Sequence, residues 1–134
     1  VSDLINDHKM MSEKFSIDAK NAEIINSSIR NGKKVSAVGT TSTRALESLA
    51  VLSSFEEQGK IYIKEYSGET SIFIYPGYKF KIINMLVTNL HLPKSTPLMM
   101  ASAFSSRELM IKAYKEAVKE KYRFFSYGDS MLIK

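Results

Sequence analysis

The chain has 134 residues, a formal net charge of +5, 44% hydrophobic and 25% charged residues, and no cysteine. That length supports one domain with a real core but not two ordinary ones. The lack of Cys excludes disulfides and thiol chemistry and suits a reducing, cytoplasmic setting, no apolar run is long enough to need a membrane, and His8 and His91 are too few for a His-rich metal site, so no metal is expected.

In chain order, Asp18 is placed to cap a helix whose core-facing residues Ala22, Ile25 and Ile29 have helical spacing and which stops at Asn31-Gly32. Val35, Ala37 and Val38 make a brief buried strand. Ala45, Leu46, Leu49, Ala50 and Leu52 then form the apolar stripe of a second helix. Phe55 to Lys60 is polar and ends in a Gly turn, after which Ile61 with Ile63 and Ile72 with Ile74 alternate as two strands. Pro76-Gly77 predicts a turn before a strand pair formed by Phe80 with Ile82 and by Met85 to Val87, the latter ending at Asn89. Ser95 caps a helix from Thr96 to Phe104 with Pro97 in its first turn. Ser105-x-x-Glu108 has capping-box spacing for a further helix, buried through Met110, Ala113, Ala117 and Val118 and ending near Lys121. Tyr122 to Tyr127 and Met131 to Ile133 close the chain as two β-rich pieces around Gly128-Asp129. The fold class is α/β, a mixed β-sheet, open or barrel-like, flanked by helices.

The stretch Val38-Gly39-Thr40-Thr41-Ser42-Thr43-Arg44-Ala45-Leu46-Glu47-Ser48 runs from a strand through Gly and a row of hydroxyls straight into a helix. Free backbone N–H groups and the helix dipole make such a junction a place where anions bind. The same residues also fit a plainer reading, with Thr41 or Ser42 as N-cap and Arg44 and Glu47 as a surface ion pair three residues apart. His91 follows a strand end and precedes Pro93, a position for proton transfer or for pinning a loop by a bond to a backbone carbonyl. Asp129 after Gly128 is either a turn residue or a carboxylate facing a ligand or the His91 imidazole. The positive excess suits a polyanion such as RNA, and Lys112, Lys115 and Lys119 share one helical face, solvated or in contact with such a partner.

Three further segments, Ile72-Phe73-Ile74-Tyr75-Pro76-Gly77-Tyr78, Asn89-Leu90-His91-Leu92-Pro93-Lys94-Ser95 and Tyr122-Arg123-Phe124-Phe125-Ser126-Tyr127-Gly128-Asp129-Ser130-Met131, complete a specific pattern. Together with Val38 to Ser48, they make the chain resemble the S-adenosylmethionine:tRNA ribosyltransferase-isomerases of queuosine biosynthesis. The resemblance runs from His8 to the last residue and matches the C-terminal part of that family, so residues 1–134 are expected to be a single α/β portion of a larger catalytic domain whose N-terminal portion is absent. Val1 in place of Met agrees with this. Two departures stand out: Met11 occupies the place of a second His after His8, leaving no polar side chain there, and Leu90 precedes His91 where the family usually has Phe.

The resemblance implies a transferase and isomerase that moves the ribosyl part of S-adenosylmethionine onto 7-aminomethyl-7-deazaguanine at the tRNA wobble position, giving epoxyqueuosine-tRNA, adenine and methionine. It implies S-adenosylmethionine as ribosyl-donating co-substrate and the precursor tRNA as partner. His91 and Asp129 are the expected catalytic residues. Gly39, Thr40, Thr41, Ser42, Arg44, Glu47, Asn89, Ser95, Tyr75, Tyr127, His8 and Glu13 are the expected substrate contacts. Gly39 to Ser42 with Arg44 would hold the donor's carboxylate or a tRNA phosphate. Tyr75, Tyr78, Phe124, Phe125 and Tyr127 are either core or platforms for adenine or an unpaired anticodon base. Rim loops are expected to gather the hydroxyl-rich bend, His91 and Asp129 around one hollow. A noncatalytic tRNA-binding module and an inactive structural fragment are the alternatives. Uncovered strand edges could also let the fragment self-associate.

Overall fold

The computed structural model describes residues 10–134. Its framework is a three-stranded mixed sheet in which β2 (Ser36–Val38) runs parallel to β6 (Met85–Asn89), and β6 pairs antiparallel with β7 (Ser130–Ile133). β2 leads into α2 (Thr40–Leu52) through Gly39 alone, because an apolar run, a glycine and a helical stripe follow one another without a spacer. Two antiparallel ribbons flank the sheet, β1 (Glu13–Ile17) with β5 (Tyr66–Thr70) and β3 (Ser54–Glu57) with β4 (Lys60–Ile63). Among the described residues none of these sheets closes into a barrel.

α1 (Ala19–Arg30) is capped by Asp18, whose carboxylate accepts from the Asn21 N–H at 2.7 Å. The buried Asn26 docks this helix on β4 by both accepting from and donating to the Ile63 backbone, at 2.9 and 2.8 Å, so its amide acts as one rung of a ladder. Leu86 lies at the centre of the core, with Ala37, Ile133, Leu49, Ile63, Ile82, Ala101 and Met110 around it, all buried. α3 (Thr96–Phe104) and α4 (Arg107–Lys119) follow β6 and return the chain to β7.

Several expected elements take another form. The polar stretch from Phe55 folds as the β3–β4 hairpin across the two-residue turn Gln58-Gly59, both at positive φ, and Phe55 stacks on Tyr62 with centroids 5.3 Å apart. Ile72–Ile74 and Phe80–Ile82 are not strands, because α2 captures their backbone groups: Arg44 donates to the Ile72 carbonyl, and Glu47 accepts from the N–H groups of Lys81, Ile82 and Ile83. Backbone groups satisfied by buried side chains do not need a neighbouring strand. Residues 122–127 are not a strand but irregular backbone ending in a turn at 126–127, with Phe125 at φ 73°. The N-cap of α4 is Ser106, accepting from Leu109 N–H at 3.1 Å, while Ser105 ends α3 and donates to the Ala101 carbonyl; the cap lies one residue later than expected and, with Leu109 at its third position, the Ser105–Glu108 capping box does not form.

Candidate functional site

β2 and β6 are parallel, so their carboxyl ends emerge on the same rim, and antiparallel β7 begins there. That rim is where open α/β sheets place ligands, since loops and helix N-termini converge on it. Gly39 is tied to the rim by its N–H, which donates to the Val87 carbonyl at 2.8 Å. Asn89 pairs with Ser130 in the ladder, and Leu90 N–H donates to the Asp129 carbonyl at 3.3 Å. The hydroxyl-rich bend, the residues around His91 and the turn before β7 therefore share one edge of one sheet.

At the bend, Gly39 is the N-cap of α2, with φ 87° and ψ 162° and no side-chain capping bond. Those angles belong almost exclusively to glycine. Thr43 turns its hydroxyl back to the Gly39 carbonyl at 2.9 Å, while Thr41 and Ser42 stay exposed and Thr40 half-buried. Neither Thr41 nor Ser42 is the cap, so the leading N–H groups of α2 are left for solvent or a ligand, where the helix end attracts an anion by roughly 0.3–1 kcal/mol.

Arg44 and Glu47 are not a surface pair. Arg44 is 4% exposed and donates to the carbonyls of Ile72 and Met11, each at 3.1 Å, while its Nη1 lies 2.8 Å from the Glu13 carboxylate. Glu47 is fully buried, and its carboxylate accepts from Tyr78 Oη at 3.0 Å and from three backbone N–H groups at 2.8, 2.9 and 3.0 Å. The substrate contact expected of Glu47 is thus corrected to an anchor for residues 78–83, because burial leaves its oxygens no face toward a ligand. Burial, then the Glu47 charge and hydrogen bond, raise Tyr78 well above the ordinary phenol range and keep it a neutral donor.

His91 is half-buried, with Nε2 2.6 Å from the Thr88 hydroxyl. Its backbone N–H donates to Tyr114 Oη at 2.7 Å. Burial lowers the imidazole pKa below 6.5, so the ring is neutral at neutral pH. Because a hydroxyl can donate or accept, Thr88 supports either neutral tautomer without moving the ring. Nδ1 has no hydrogen-bond partner among the described residues and is not a buried unsatisfied atom, so it is accessible to solvent. Thr88, buried on the strand, was not singled out from the sequence; its spacing of three from His91 was the available signal.

Asp129 does not reach His91. Its carboxylate takes the Arg123 N–H at 2.7 Å and the Arg123 guanidinium at 3.1 Å, and its own N–H donates to the Arg123 carbonyl at 2.8 Å. These bonds to Arg123 hold the carboxyl below the ordinary range. The group latches the 123–129 loop shut, and Gly128 is required there because a Cβ would lie 2.5 Å from the Phe124 carbonyl carbon. The loop holds Tyr127 at 98% exposure. Tyr75 is 40% exposed, with its ring 5.2 Å from Phe73. Ser95 serves as the α3 N-cap, accepting from Leu98 N–H, and donates to the Leu92 carbonyl at 2.7 Å. Asn89 reaches the Gly128 carbonyl at 3.5 Å. His8 lies outside the described residues.

A cavity of about 170 Å³ beside the rim is lined by Glu13, Thr40 and Arg44 with Ile72, Thr96 and Pro97 among others. It joins three of the expected contacts, but neither His91 nor Asp129 lines it, so the three rim groups share an edge rather than this cavity. Among the described residues no cluster of three His, Asp or Glu is arranged to hold a metal, and no helix is long and apolar enough to cross a membrane.

A family model described as queuosine biosynthesis protein matches residues 1–133. Among curated relatives, the S-adenosylmethionine:tRNA ribosyltransferase-isomerase of Thermoanaerobacter sp. is 53% identical over 131 residues, which is 98% of this chain and 36% of that protein. The one from Fusobacterium nucleatum is 55% identical over 127 residues, 95% and 34% respectively. The crystal structure of an S-adenosylmethionine tRNA ribosyltransferase from Thermotoga maritima superposes with a TM-score of 0.80 at 43% identity, covering 90% of this chain and 40% of that one. The chain thus spans about a third of the length of the curated relatives it matches.

Proposed function

Since the chain belongs to the queuosine biosynthesis protein family, we propose that it carries one wall of a site where S-adenosylmethionine passes its ribosyl group to a tRNA base. In this reading the sugar moves onto 7-aminomethyl-7-deazaguanine at the wobble position. A proton leaves the carbon beside the sulfonium, adenine departs, the aminomethyl nitrogen bonds to the sugar, and epoxide closure expels methionine. The observation that supports it is the single rim shared by the uncapped α2 N-terminus and by His91 held neutral on Thr88.

His91 handles the proton, because a neutral imidazole with an open nitrogen accepts one at neutral pH. The N–H groups and hydroxyls of Gly39 to Ser42 hold the methionine carboxylate of the donor. Tyr127 offers an exposed ring on which a splayed anticodon base stacks. Asp129 acts as a positioning residue that keeps this ring and the start of β7 in place through Arg123. A cytoplasmic setting goes with tRNA as substrate.

The test uses the natural full-length polypeptide with S-adenosylmethionine and tRNA bearing the aminomethyl base, measuring adenine release and nucleoside mass. One adenine per epoxyqueuosine is the expected result, and His91→Asn should slow it by roughly 10²–10⁴-fold. Full turnover by that variant would remove His91 from the proton step. Binding of tRNA without S-adenosylmethionine would make the chain a noncatalytic RNA module instead.

A further inference from the structure

At the end of the sheet opposite this rim, three segments distant in sequence enclose a second cavity of about 350 Å³: the turn after α1, the β3–β4 turn and the run ahead of β6. Lys33, Lys34, Lys60 and Lys81 line it, and no Asp or Glu does. All four lysines are exposed, and none is in an ion pair among the described residues. Glu57 stands opposite Lys60 in the hairpin register but is not part of the lining.

The fold holds these positions firmly. Glu47 accepts the Lys81 N–H at 2.8 Å, Asn84 accepts the Val35 N–H at 2.9 Å next to Lys34, and Lys60 Nζ donates to the Ile29 carbonyl at 3.4 Å. Four like charges gathered around one concavity repel each other, and a polyanion relieves that repulsion. Lysine meets phosphate as a compact point charge rather than a bidentate fork, which suits positioning along a backbone more than reading a base.

We propose that this lysine-lined cavity receives backbone phosphates of the RNA, a second contact apart from the rim and resting on the functional reading above. Val35 and Gly39 bracket β2 between the two places, so roughly 13 Å of strand at about 3.3 Å per residue separates them. One RNA arm spans that distance.

The experiment measures tRNA affinity against salt for the natural full-length polypeptide and for the combined variant Lys33→Gln, Lys34→Gln, Lys60→Gln, Lys81→Gln. Each lost phosphate contact removes about 0.7–0.9 from the slope of log K against log salt, so the slope should become shallower by about 3. Affinity for S-adenosylmethionine should stay unchanged and the urea midpoint should not fall, since removing four like charges relieves their repulsion, and Arg at the four positions should restore the slope. A folded variant with a slope within about 0.5 of the parent overturns the proposal. So does an equal loss on neutralising Lys112, Lys115 and Lys119 together, which would mark bulk charge alone. Saturable pyrophosphate binding that needs the four lysines, beside an unchanged tRNA slope, would make the cavity a small-anion site and also overturn it. If the parent polypeptide binds no tRNA at all, the functional reading falls with it.

Discussion

Glu47 is the residue on which the middle of the chain depends, and replacing it by Gln tests how residues 78–83 are held. Its carboxylate accepts four hydrogen bonds at 2.8–3.0 Å and is fully buried. In Glu47→Gln the remaining oxygen still serves Ile82 and Ile83, but the new amide N–H₂ faces Tyr78 and the Lys81 N–H. The Tyr78 hydroxyl can rotate to accept. The Lys81 N–H cannot, so one donor is orphaned and the bonds to a charged acceptor become bonds to a neutral one, a loss of roughly 2–4 kcal/mol. Glu47→Ala would orphan three N–H groups at roughly 1–3 kcal/mol each. That sum approaches the whole stability of an ordinary domain, about 5–15 kcal/mol. Urea unfolding of the Gln variant reads the difference, and hydrogen exchange at the Ile82 and Ile83 amides shows whether the loss is local. A Gln variant within about 0.5 kcal/mol of the parent, with both amides still protected, would refute the anchoring role.

Arg44→Ala should lower stability by freeing the carbonyls of Ile72 and Met11, yet leave the salt slope of tRNA binding unchanged, because the guanidinium is buried; a shallower slope would return Arg44 to the phosphate-binding set. Burial lowers the His91 pKa below 6.5, so between its folded value and 6.5 the unfolded chain binds more protons and stability falls as pH drops. His91→Gln should flatten the fall of the unfolding free energy as pH drops below 6.5. The Asp129 carboxyl, depressed by Arg123, contributes stability that is present above 3.8 and lost as pH falls through its folded value; NMR titration should find it raised in Arg123→Ala yet still below the ordinary range, because the backbone N–H of residue 123 keeps its bond to the carboxylate. Gly39→Ala should cost roughly 1–3 kcal/mol in unfolding, since Ala strains at a φ of 87°.

Local patterns carried much of this protein. Asp18 and Ser95 cap the helices their spacing indicated, and β2, Gly39 and α2 follow one another as the apolar run, glycine and helical stripe require. Which residues reach the rim was decided by strand pairing, because a parallel pair places its carboxyl ends together and the next antiparallel strand starts beside them. Partnership was decided only in three dimensions. Ile72–Ile74 and Phe80–Ile82 have the alternation of strands, but periodicity reports which side chains are buried and not which groups satisfy the backbone. Arg44 and Glu47 do so from a helix about thirty residues away, over 28 positions to Ile72 and 34–36 to Lys81, Ile82 and Ile83. Likewise the carboxylate of Asp129 went to Arg123, and four lysines on three separate segments came to one cavity. Caps and helical stripes are settled by residues within a few positions of each other, whereas hydrogen-bond satisfaction and charge clustering depend on distances that only the folded chain creates.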